Sequence, residues 1–373
     1  MRHICFLTGC FNREDPLIIG RQGKLLVNAG YKVTYIVSDS KPDEVRDNIN
    51  IVSTGFEPPN RLARMVKTRF YLANKLKDIS ADIFQISEPE LLPLAVKLKK
   101  KGKIVVYNMR EYYPDMMLSK SYLPKVTRKL ISVLLEKYMS KSLKRMDAVF
   151  SVTPSCVDIV KNKWNCKHSY LLTNYPVVDV DFTLSFEDYK KRGDVLCYIG
   201  NIYRCSRQEI TFDALQKIPQ LKYLLAGKLN GYMCGELERH PYWKNVEFID
   251  GFSANELKNI LRRGTIGNTI RVFPKNSLTG NGSLGVIKIF EYMEAALPVI
   301  CTKVTLWEEI IEKYQCGICV DPDDVDEIEK ALKFLVENKE IAYQMGQNAR
   351  RAVIEEFNWG NQAALYMKVL ERL

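Results

Sequence analysis

Residues Asn281–Thr302, NGSLGVIKIFEYMEAALPVICT, carry the most informative pattern in this chain of 373 residues. A Gly-rich turn leads into a helical segment, and Pro298 then opens an apolar run that is typical of a strand. The helical period places Lys288 and Glu291 opposite an apolar face formed by Val286, Ile289, Phe290, Met293 and Ala296. Glycines let a phosphate approach the backbone and helix N-termini attract anions, so the stretch predicts a site for a nucleoside diphosphate. Glu291 is then placed to accept hydrogen bonds from sugar hydroxyls.

The glycines of this turn have a second interpretation. Gly280, Gly282 and Gly285 spell G-x-G-x-x-G, which dinucleotide-binding folds usually carry in their first βα turn, with an acid about 20 residues later. Here the turn lies late in the chain and the next acids belong to a helix-like WEEI segment, so hydride transfer is disfavoured. The lysine and glutamate of the helix also fit an exposed ion pair, which stabilises a helix only weakly.

Short apolar runs alternate with helical patterns along the chain, which is typical of βαβ units and parallel sheets. We predict strands at His3–Thr8, Lys32–Val37, Ile83–Ile86, Ile104–Asn108, Ala148–Val152, Leu171–Tyr175, Val195–Ile199, Tyr223–Ala226, Val246–Ile249, Pro298–Thr302 and Gly317–Val320. The pattern restarts near residue 178 after a Pro-containing connector. The sequence therefore predicts an α/β protein with two Rossmann-like domains, 1–178 and 179–357, and a C-terminal helix over 358–373 that returns to the first domain.

The charge of the chain is concentrated in its first half. Residues 1–178 hold 30 Lys and Arg against 16 Asp and Glu, whereas residues 179–373 hold 25 against 28. This asymmetry indicates an anionic partner, such as a phospholipid surface, or else lysines that are simply solvated on helix surfaces. No recognised nucleic-acid-binding module occurs, so nucleic acid is not a predicted partner.

Two basic segments bear on the choice between an anionic partner and solvated lysines. Residues 61–77, RLARMVKTRFYLANKLK, form an amphipathic helix with an apolar face of Leu62, Met65, Val66, Ala73 and Leu76. Such a helix lies on an anionic membrane or packs its apolar face into the domain core, and the segment 125–145 has the same two interpretations.

No segment reaches the roughly 20 apolar residues that span a bilayer, and charge follows the first residues too early for a signal peptide. Four of the ten cysteines, Cys5, Cys197, Cys301 and Cys319, lie in apolar strand-like runs, as reduced thiols do. The single Cys-x-x-Cys pair has no second pair and only three histidines to join it, so no metal site is expected. We expect a cytoplasmic protein.

Several quoted segments together resemble one family. They are KIFEYMEAALPVICTKVTLWEEIIEKYQCGICVDPDD, MGQNARRAVIEEFNW, YIGNIYRCSR and WKNVEFIDGF in the second half, with EDPLIIGRQGKLLVNAGYKVTYI, VYNMREYYPDM and LLTNYPV in the first. Nearly end to end, the chain resembles the family 4 retaining glycosyltransferases with the GT-B fold, in which two Rossmann-like domains face each other across a cleft.

The resemblance implies a hexosyltransferase-type enzyme that moves a sugar, with retention, from a nucleotide-diphosphate-sugar donor to a glycan or lipid-linked acceptor. It implies no cofactor beyond a UDP-, GDP- or similar sugar, and no Asp-x-Asp motif is present to hold a metal. Peripheral contact with an anionic membrane at the inner face of the cell membrane would suit such an acceptor. A non-catalytic nucleotide-sugar-binding protein, an epimerase and a phosphorylase are the alternatives.

The resemblance also assigns roles around the donor. Glu291 matches the family glutamate that binds ribose, whereas Ser283 stands eight residues earlier, where relatives carry a second glutamate. The implied binding residues for pyrophosphate or sugar are Ser283, Leu284, Gly285 and Val286. Arg204 and Arg207 match the basic diphosphate loop, where with Lys288 they would neutralise the leaving group.

In the first half, relatives read Asp-x-His-Glu where this chain has residues 108–111, NMRE. Arg110 therefore replaces the family histidine; it stays protonated, so it is a hydrogen-bond donor to a phosphate or an acidic sugar rather than a base. Gly9 and Asn12 match the turn after the first strand that faces the cleft.

Overall fold

The computed structural model of this chain describes residues 1–118, 120, 123–230, 235–274, 277–278 and 280–373, without the side chains of 254 and 255. These residues form two compact units, one of residues 1–174 with 362–373 and the other of residues 175–361. The ranges predicted from the sequence differ from these units by four residues at each junction. Within the described part of the chain, no helix combines the length and apolar character needed to cross a bilayer.

An eight-stranded sheet forms the centre of the N-terminal unit. Its strands are β1 (His3–Leu7), β2 (Lys32–Val37), β3 (Glu44–Arg46), β4 (Ile49–Ser53), β5 (Ile83–Ile86), β6 (Ile104–Met109), β7 (Ala148–Ser151) and β8 (Ser169–Leu171). They lie in the order β3-β4-β2-β1-β5-β6-β7-β8, and all neighbours are parallel except β3 and β4. The strands are largely buried apolar runs, as expected when both faces of a parallel sheet are covered.

The described residues of the N-terminal unit also form six α-helices, two of which have large exposed faces, as described below. They are α1 (Lys24–Asn28), α2 (Arg61–Lys75), α3 (Leu92–Lys100), α4 (Tyr113–Leu118), α5 (Lys125–Leu143) and α6 (Pro154–Asp158). The helical segment between β1 and β2 begins as a π-helix, Ile18–Gly23, and continues as α1. Asn60 ends the loop before α2 and accepts a hydrogen bond from the Ala63 amide, which caps the helix.

A six-stranded parallel sheet forms the centre of the C-terminal unit. Its strands are β9 (Val195–Ile199), β10 (Lys222–Gly227), β11 (Val246–Asp250), β12 (Ile266–Thr269), β13 (Val299–Thr302) and β14 (Gly317–Val320). The spatial order is β11-β10-β9-β12-β13-β14, the doubly wound order in which successive strands are added to one side of β9 and then, from β12 onward, to its other side. Such a reversal opens a crevice at the carboxyl ends of the two strands, where ligands bind in this class of sheet.

Seven α-helices are described in the C-terminal unit: α7 (Phe186–Lys191), α8 (Gln208–Leu215), α9 (Ala254–Leu261), α10 (Lys288–Glu294), α11 (Thr305–Tyr314), α12 (Val325–Glu337) and α13 (Lys339–Glu355). The last helix, α14 (Trp359–Glu371), crosses the junction of the units. Within the N-terminal unit, the hydroxyl of Tyr366 donates to Gln85 Oε1 at 2.6 Å and Arg2 Nη1 donates to the carbonyl of Leu370 at 3.0 Å. These bonds tie the end of the chain to the first sheet.

Helix α10 approaches the sheet unusually closely. A Cβ atom on Gly267 of β12 would lie 2.4 Å from Cγ of Tyr292, so only glycine leaves room for this ring. The Tyr292 hydroxyl accepts a hydrogen bond of 2.9 Å from the amide of Ile199, at the end of β9. Strand β9 pairs with β12 only at Leu196 and Cys197, so the amide of Ile199 has no hydrogen-bond partner on β12. The hydroxyl of the tyrosine supplies that partner.

The sequence prediction missed three strands of the structure and several helices, among them α4, α6, α8 and α9, and it placed a strand at Leu171–Tyr175 where β8 covers Ser169–Leu171. Strands β3, β4 and β12 were not predicted, and α7 occupies part of the predicted connector. In β12 the short run Ile266–Thr269 contains a glycine and an asparagine, which lowers its apolar signal although all four residues are buried. The residues that make β12 hard to recognise are those that accommodate α10.

We predict that Gly267→Ala destabilises the C-terminal unit. The added methyl group overlaps Tyr292, and overpacking of this kind typically lowers the free energy of unfolding by about 1–3 kcal/mol. Chemical denaturation of the variant and of the wild type measures this difference. The control is Gly20→Ala, where no atom lies within 4 Å of the added Cβ and the change should stay below about 1 kcal/mol. Equal losses in both variants would contradict the steric argument.

Candidate functional site

A cavity of about 360 Å³ lies in the C-terminal unit where the strand order reverses. Its walls come from the segments that follow β9 and β12, together with residues 285–288 at the start of α10. Phe252 and Leu257 complete it from the segment after β11 and from α9. The cavity therefore occupies the position that the topology of a doubly wound sheet prepares for a ligand.

One wall of the cavity is mainly apolar. Ile199, Tyr203, Phe252 and Leu257 line it, and the side chain of Tyr203 is about half exposed. Apolar and aromatic surfaces of this kind suit a flat heterocyclic ring, while the polar groups of a pocket fix its orientation.

Two cationic side chains reach the same cavity. The ammonium of Lys288 lies 3.8 Å from the ring centroid of Tyr198. Burial is the main cause that lowers the pKa of Lys288 to about 7, and the neighbouring charge of Arg271 contributes to the same shift. Arg271 donates weakly to the thiol of Cys205 at 3.9 Å, and its buried Nε has no hydrogen-bond partner among the described residues. The pair forms a positive site whose charge is incompletely compensated.

Glu291 lies one turn into α10 and lines the cavity with 8% of its surface exposed. Its backbone amide donates to the carbonyl of Ile287 at 3.1 Å, so it belongs to the first helical turn. The buried hydroxyl of Thr269, across the cavity at the end of β12, has no partner within the described part of the chain. A carboxylate and a hydroxyl thus accompany the two cations.

The turn before α10 divides between the cavity and the core. Gly285 and Val286 line the cavity, whereas Ser283 and Leu284 are buried and do not. The Ser283 hydroxyl accepts from the Gly285 amide at 3.0 Å, and its carbonyl accepts from the indole N–H of Trp307 at 3.3 Å. Ser283 therefore shapes the turn, and direct contact of its side chain with a ligand stays a prediction.

The two arginines predicted for a diphosphate contact carboxylates in this structure. Arg204 donates to both oxygens of Glu236 at 2.9 and 2.7 Å, and Arg207 lies 2.6 Å from Asp323. Neither lines the cavity, although Cys205 and Ser206 between them do. Their role at a diphosphate stays a prediction, and it requires these ion pairs to open.

Arg110 in the N-terminal unit is also paired. Its guanidinium donates to both oxygens of Asp15, at 2.7 and 2.9 Å, and stacks 3.7 Å from the ring centroid of Phe11. Asp15 also accepts from the Ile18 amide at 2.9 Å. Arg110 thereby fixes the loop after β1, and its predicted contact with a phosphate or acidic sugar stays a prediction.

Gly9 and Asn12 line a second cavity, of about 890 Å³, after β1 and β2 of the N-terminal unit. Behind Gly9 lies the buried Glu88, whose Oε1 accepts from the hydroxyl of Thr8 and from the amides of Gly9 and Cys10. Burial raises the pKa of Glu88, and its other oxygen, Oε2, has no partner among the described residues. This carboxylate holds the loop at the point where the first sheet reverses its order.

Sequence reasoning missed Arg271, Thr269 and Glu88. Thr269 is the last residue of β12 and Arg271 follows it. Because the sequence did not reveal this strand, it could not place the two residues at the carboxyl end of a strand. Glu88 does follow a predicted strand in the segment SEPE, and that position was the available signal. Among the described residues, no group of three or more His, Cys, Asp or Glu side chains is arranged to hold a metal ion.

Comparison with known proteins gives two family matches on consecutive parts of the chain. Residues 182–352 match the glycosyl transferases group 1, and residues 19–182 match glycosyltransferase family 4. The two matches together extend from residue 19 to residue 352 and meet near the junction of the two units. The chain therefore belongs to the GT-B glycosyltransferases of the family 4 type, as the sequence resemblance predicted.

Solved structures agree with this fold. Sucrose-phosphate synthase from Thermosynechococcus elongatus superposes with a TM-score of 0.78 at 16% identity, over 100% of this chain and 98% of that one. HepE from Anabaena, in complex with UDP-glucose, gives 0.69 at 13% identity over 100% of both chains. An uncharacterised glycosyltransferase of Methanocaldococcus jannaschii is 23% identical over 180 residues, which are 48% of this chain and 45% of that protein. The match thus spans less than half the length of this curated relative.

We predict that Lys288 gives the stability of the protein a distinct pH dependence. Its folded pKa of about 7 lies below the ordinary 10.5, so between these values the unfolded state binds more protons than the folded state. The free energy of unfolding of the wild type should therefore rise with pH across this window. Lys288→Met removes this contribution, and urea denaturation at several pH values measures it.

The control for this experiment is Lys303→Met, which removes an exposed lysine outside the cavity. That variant retains Lys288 and should keep the wild-type dependence on pH. Identical pH profiles for the wild type and Lys288→Met would show that the ammonium is not destabilised by the fold.

Proposed function

We propose that the C-terminal cavity binds a nucleotide-diphosphate sugar and that this glycosyltransferase transfers the sugar, with retention and without a metal, to a glycan or lipid-linked acceptor. One observation carries the proposal. Arg271, Lys288 and Glu291 converge on a single cavity at the point where the strand order of the C-terminal sheet reverses. This combination offers positive charge for a diphosphate and a carboxylate for sugar hydroxyls.

In this proposal each wall of the cavity contacts one part of the donor. The base lies against Phe252 and Leu257, the ribose hydroxyls donate to Glu291, and the diphosphate lies between Arg271 and Lys288. Phosphate oxygens would keep Lys288 protonated, so binding takes up a proton where the free lysine is partly neutral. Relatives include a structure with UDP-glucose, which makes uridine the first base to test.

The transfer breaks the bond between the anomeric carbon and the diphosphate oxygen and forms one to an acceptor hydroxyl oxygen. The acceptor proton goes to the leaving diphosphate, whose charge Arg271 and Lys288 neutralise. Preorganised hydrogen-bond donors around developing charge commonly contribute about 3–4 kcal/mol each to catalysis. Two cations would therefore supply a substantial part of the rate enhancement. The enzyme needs no cofactor in this scheme other than its donor substrate.

The acceptor side of the proposal concerns the N-terminal unit. Its cavity at the ends of β1 and β2, lined by Gly9 and Asn12, supports a role in holding the acceptor. The basic excess of residues 1–178 supports peripheral association with an anionic membrane, at the cytoplasmic face, where a lipid-linked acceptor would be presented.

A second candidate function is nucleotide-sugar binding without turnover. Two observations favour it: the Ser283 hydroxyl, which stands where relatives carry a glutamate, is held by the Gly285 amide, and Arg110 is held by Asp15. In that case the cavity would bind a nucleotide as proposed, and no sugar would be released or transferred.

We predict that one of UDP, GDP and ADP, with its sugars, stabilises the protein against heat. A ligand at about 100 times its Kd adds about 2.7 kcal/mol to the free energy of unfolding. Glu291→Ala and Arg271→Met should each raise the Kd about tenfold or more, since each removes a hydrogen bond to or from a charged group. Release of the free sugar or transfer to an acceptor, followed by chromatography, then separates the enzyme from the binding protein.

The matched control is Glu312→Ala, which removes an exposed glutamate outside the cavity and should leave the stabilisation unchanged. If no nucleotide stabilises the wild type, or if both glutamate variants respond alike, the assignment of this cavity is wrong.

A further inference from the structure

Helix α2 turns its large apolar side chains outward. Leu62 is 72% exposed, and Met65, Val66, Phe70 and Tyr71 are also exposed, whereas the side chains buried against the unit are Thr68 and Leu72. Of the two interpretations that the sequence left open, the structure excludes burial of this apolar face in the core of the unit. An exposed apolar face on a folded helix is the feature of a helix that binds another apolar phase.

Helix α5 repeats this arrangement more completely. Each of its nine exposed positions holds either a lysine or a large apolar residue: Lys125, Val126, Lys129, Leu130, Val133, Leu134, Lys137, Tyr138 and Lys141. Val126 is 82% exposed, while Ser132 and Ser142 are buried together with Met139 and Leu143. The solvent-facing side of α5 therefore carries large apolar side chains, where an ordinary surface helix exposes polar residues.

The two helices are neighbours in the N-terminal unit. Burial raises the pKa of Tyr138 in α5, and the charge of Arg69 in α2 opposes this rise, which requires the two side chains to be close. We call the exposed side chains of α2 and α5 the apolar-basic face. Together the two helices carry ten Lys and Arg and one acid, Glu136.

The single acid does not offset this charge at the surface. Glu136 accepts from the indole N–H of Trp164 at 3.3 Å and pairs with Lys163 at 2.5 Å, so it is engaged with the neighbouring segment of its own unit. Exposed lysines thus stand between exposed apolar side chains, with no carboxylate on α2. Lysine stems extend along an apolar phase while their ammonium groups stay in water, which suits a charged interface.

We propose that the apolar-basic face binds the surface of an anionic phospholipid bilayer, with the apolar side chains in the interfacial region and the lysines on lipid phosphates. Charge complementarity selects this occupant: a second copy of the chain would bring the same positive charge to the same face, and like charges repel. The surface itself is independent of the donor site. Its purpose, to bring the enzyme to a lipid-linked acceptor, rests on the proposed function.

The test is co-sedimentation of the full chain with vesicles of phosphatidylglycerol and phosphatidylcholine, and with vesicles of phosphatidylcholine alone. The wild type should bind the anionic vesicles and lose affinity at high salt. The double variant Val126→Ser, Leu130→Ser should bind at least tenfold more weakly, since both side chains are exposed and their loss leaves the fold intact. Lys125→Gln, Lys129→Gln and Lys137→Gln should each weaken binding about fivefold.

The matched control is Ile354→Ser, which removes an exposed apolar residue of the C-terminal unit and should bind vesicles like the wild type. Absence of vesicle binding by the wild type, or equal binding by the double variant, overturns the proposal. Sedimentation velocity tests the other occupant: a dimer that the double variant converts to monomer, without vesicle binding, assigns the face to a second copy.

The thermal stabilisation by nucleotides distinguishes failure of the membrane proposal from failure of the proposed function. A protein that is stabilised by a nucleotide but ignores vesicles retains its donor site and lacks the membrane surface. A protein that binds anionic vesicles through α2 and α5 but is stabilised by no nucleotide retains the surface and lacks the proposed function.

Discussion

The contact of Tyr292 with Gly267 and Ile199 determines where the candidate site forms. Two parallel strands diverge where the order of the second sheet reverses, and the amide of Ile199 is left without a strand partner on that side. The tyrosine hydroxyl satisfies this amide, and the missing side chain of Gly267 lets the ring reach it. Helix α10 is thereby fixed over the crevice, which brings Lys288 and Glu291 to its mouth.

Incompletely compensated positive charge distinguishes this crevice from the other cationic groups described. Arg110, Arg204 and Arg207 each contact a carboxylate, so a ligand would have to compete with an existing ion pair. Lys288 instead has a pKa lowered first by burial and then by the neighbouring charge of Arg271. An anion that binds between them relieves this repulsion, so the arrangement stores a free-energy cost that binding removes.

The unusual features of the N-terminal unit are a buried carboxylate and an exposed apolar and basic surface. A buried carboxylate, Glu88, organises the loop after β1, whereas α2 and α5 expose apolar and basic side chains to the solvent. The first sheet buries apolar runs on strands such as β1 and β7, and α2 and α5 add a few buried apolar side chains, Leu72, Met139 and Leu143. The charge asymmetry seen in the sequence therefore has a structural counterpart in a particular face of one unit.

The sequence by itself determined the alternation of strands and helices, the two-domain α/β class and the turn and helix that carry Lys288 and Glu291, because these depend on local periodicity. Only the tertiary structure revealed β12, and with it Arg271 and Thr269, because Gly267 and Asn268 are buried by packing that no local pattern records. Likewise, the sequence showed that α2 has an apolar face, but its direction is decided by contacts between residues distant in the chain. Long-range packing fixes which side of an amphipathic helix meets the core, and here it turned the apolar side of α2 toward the solvent.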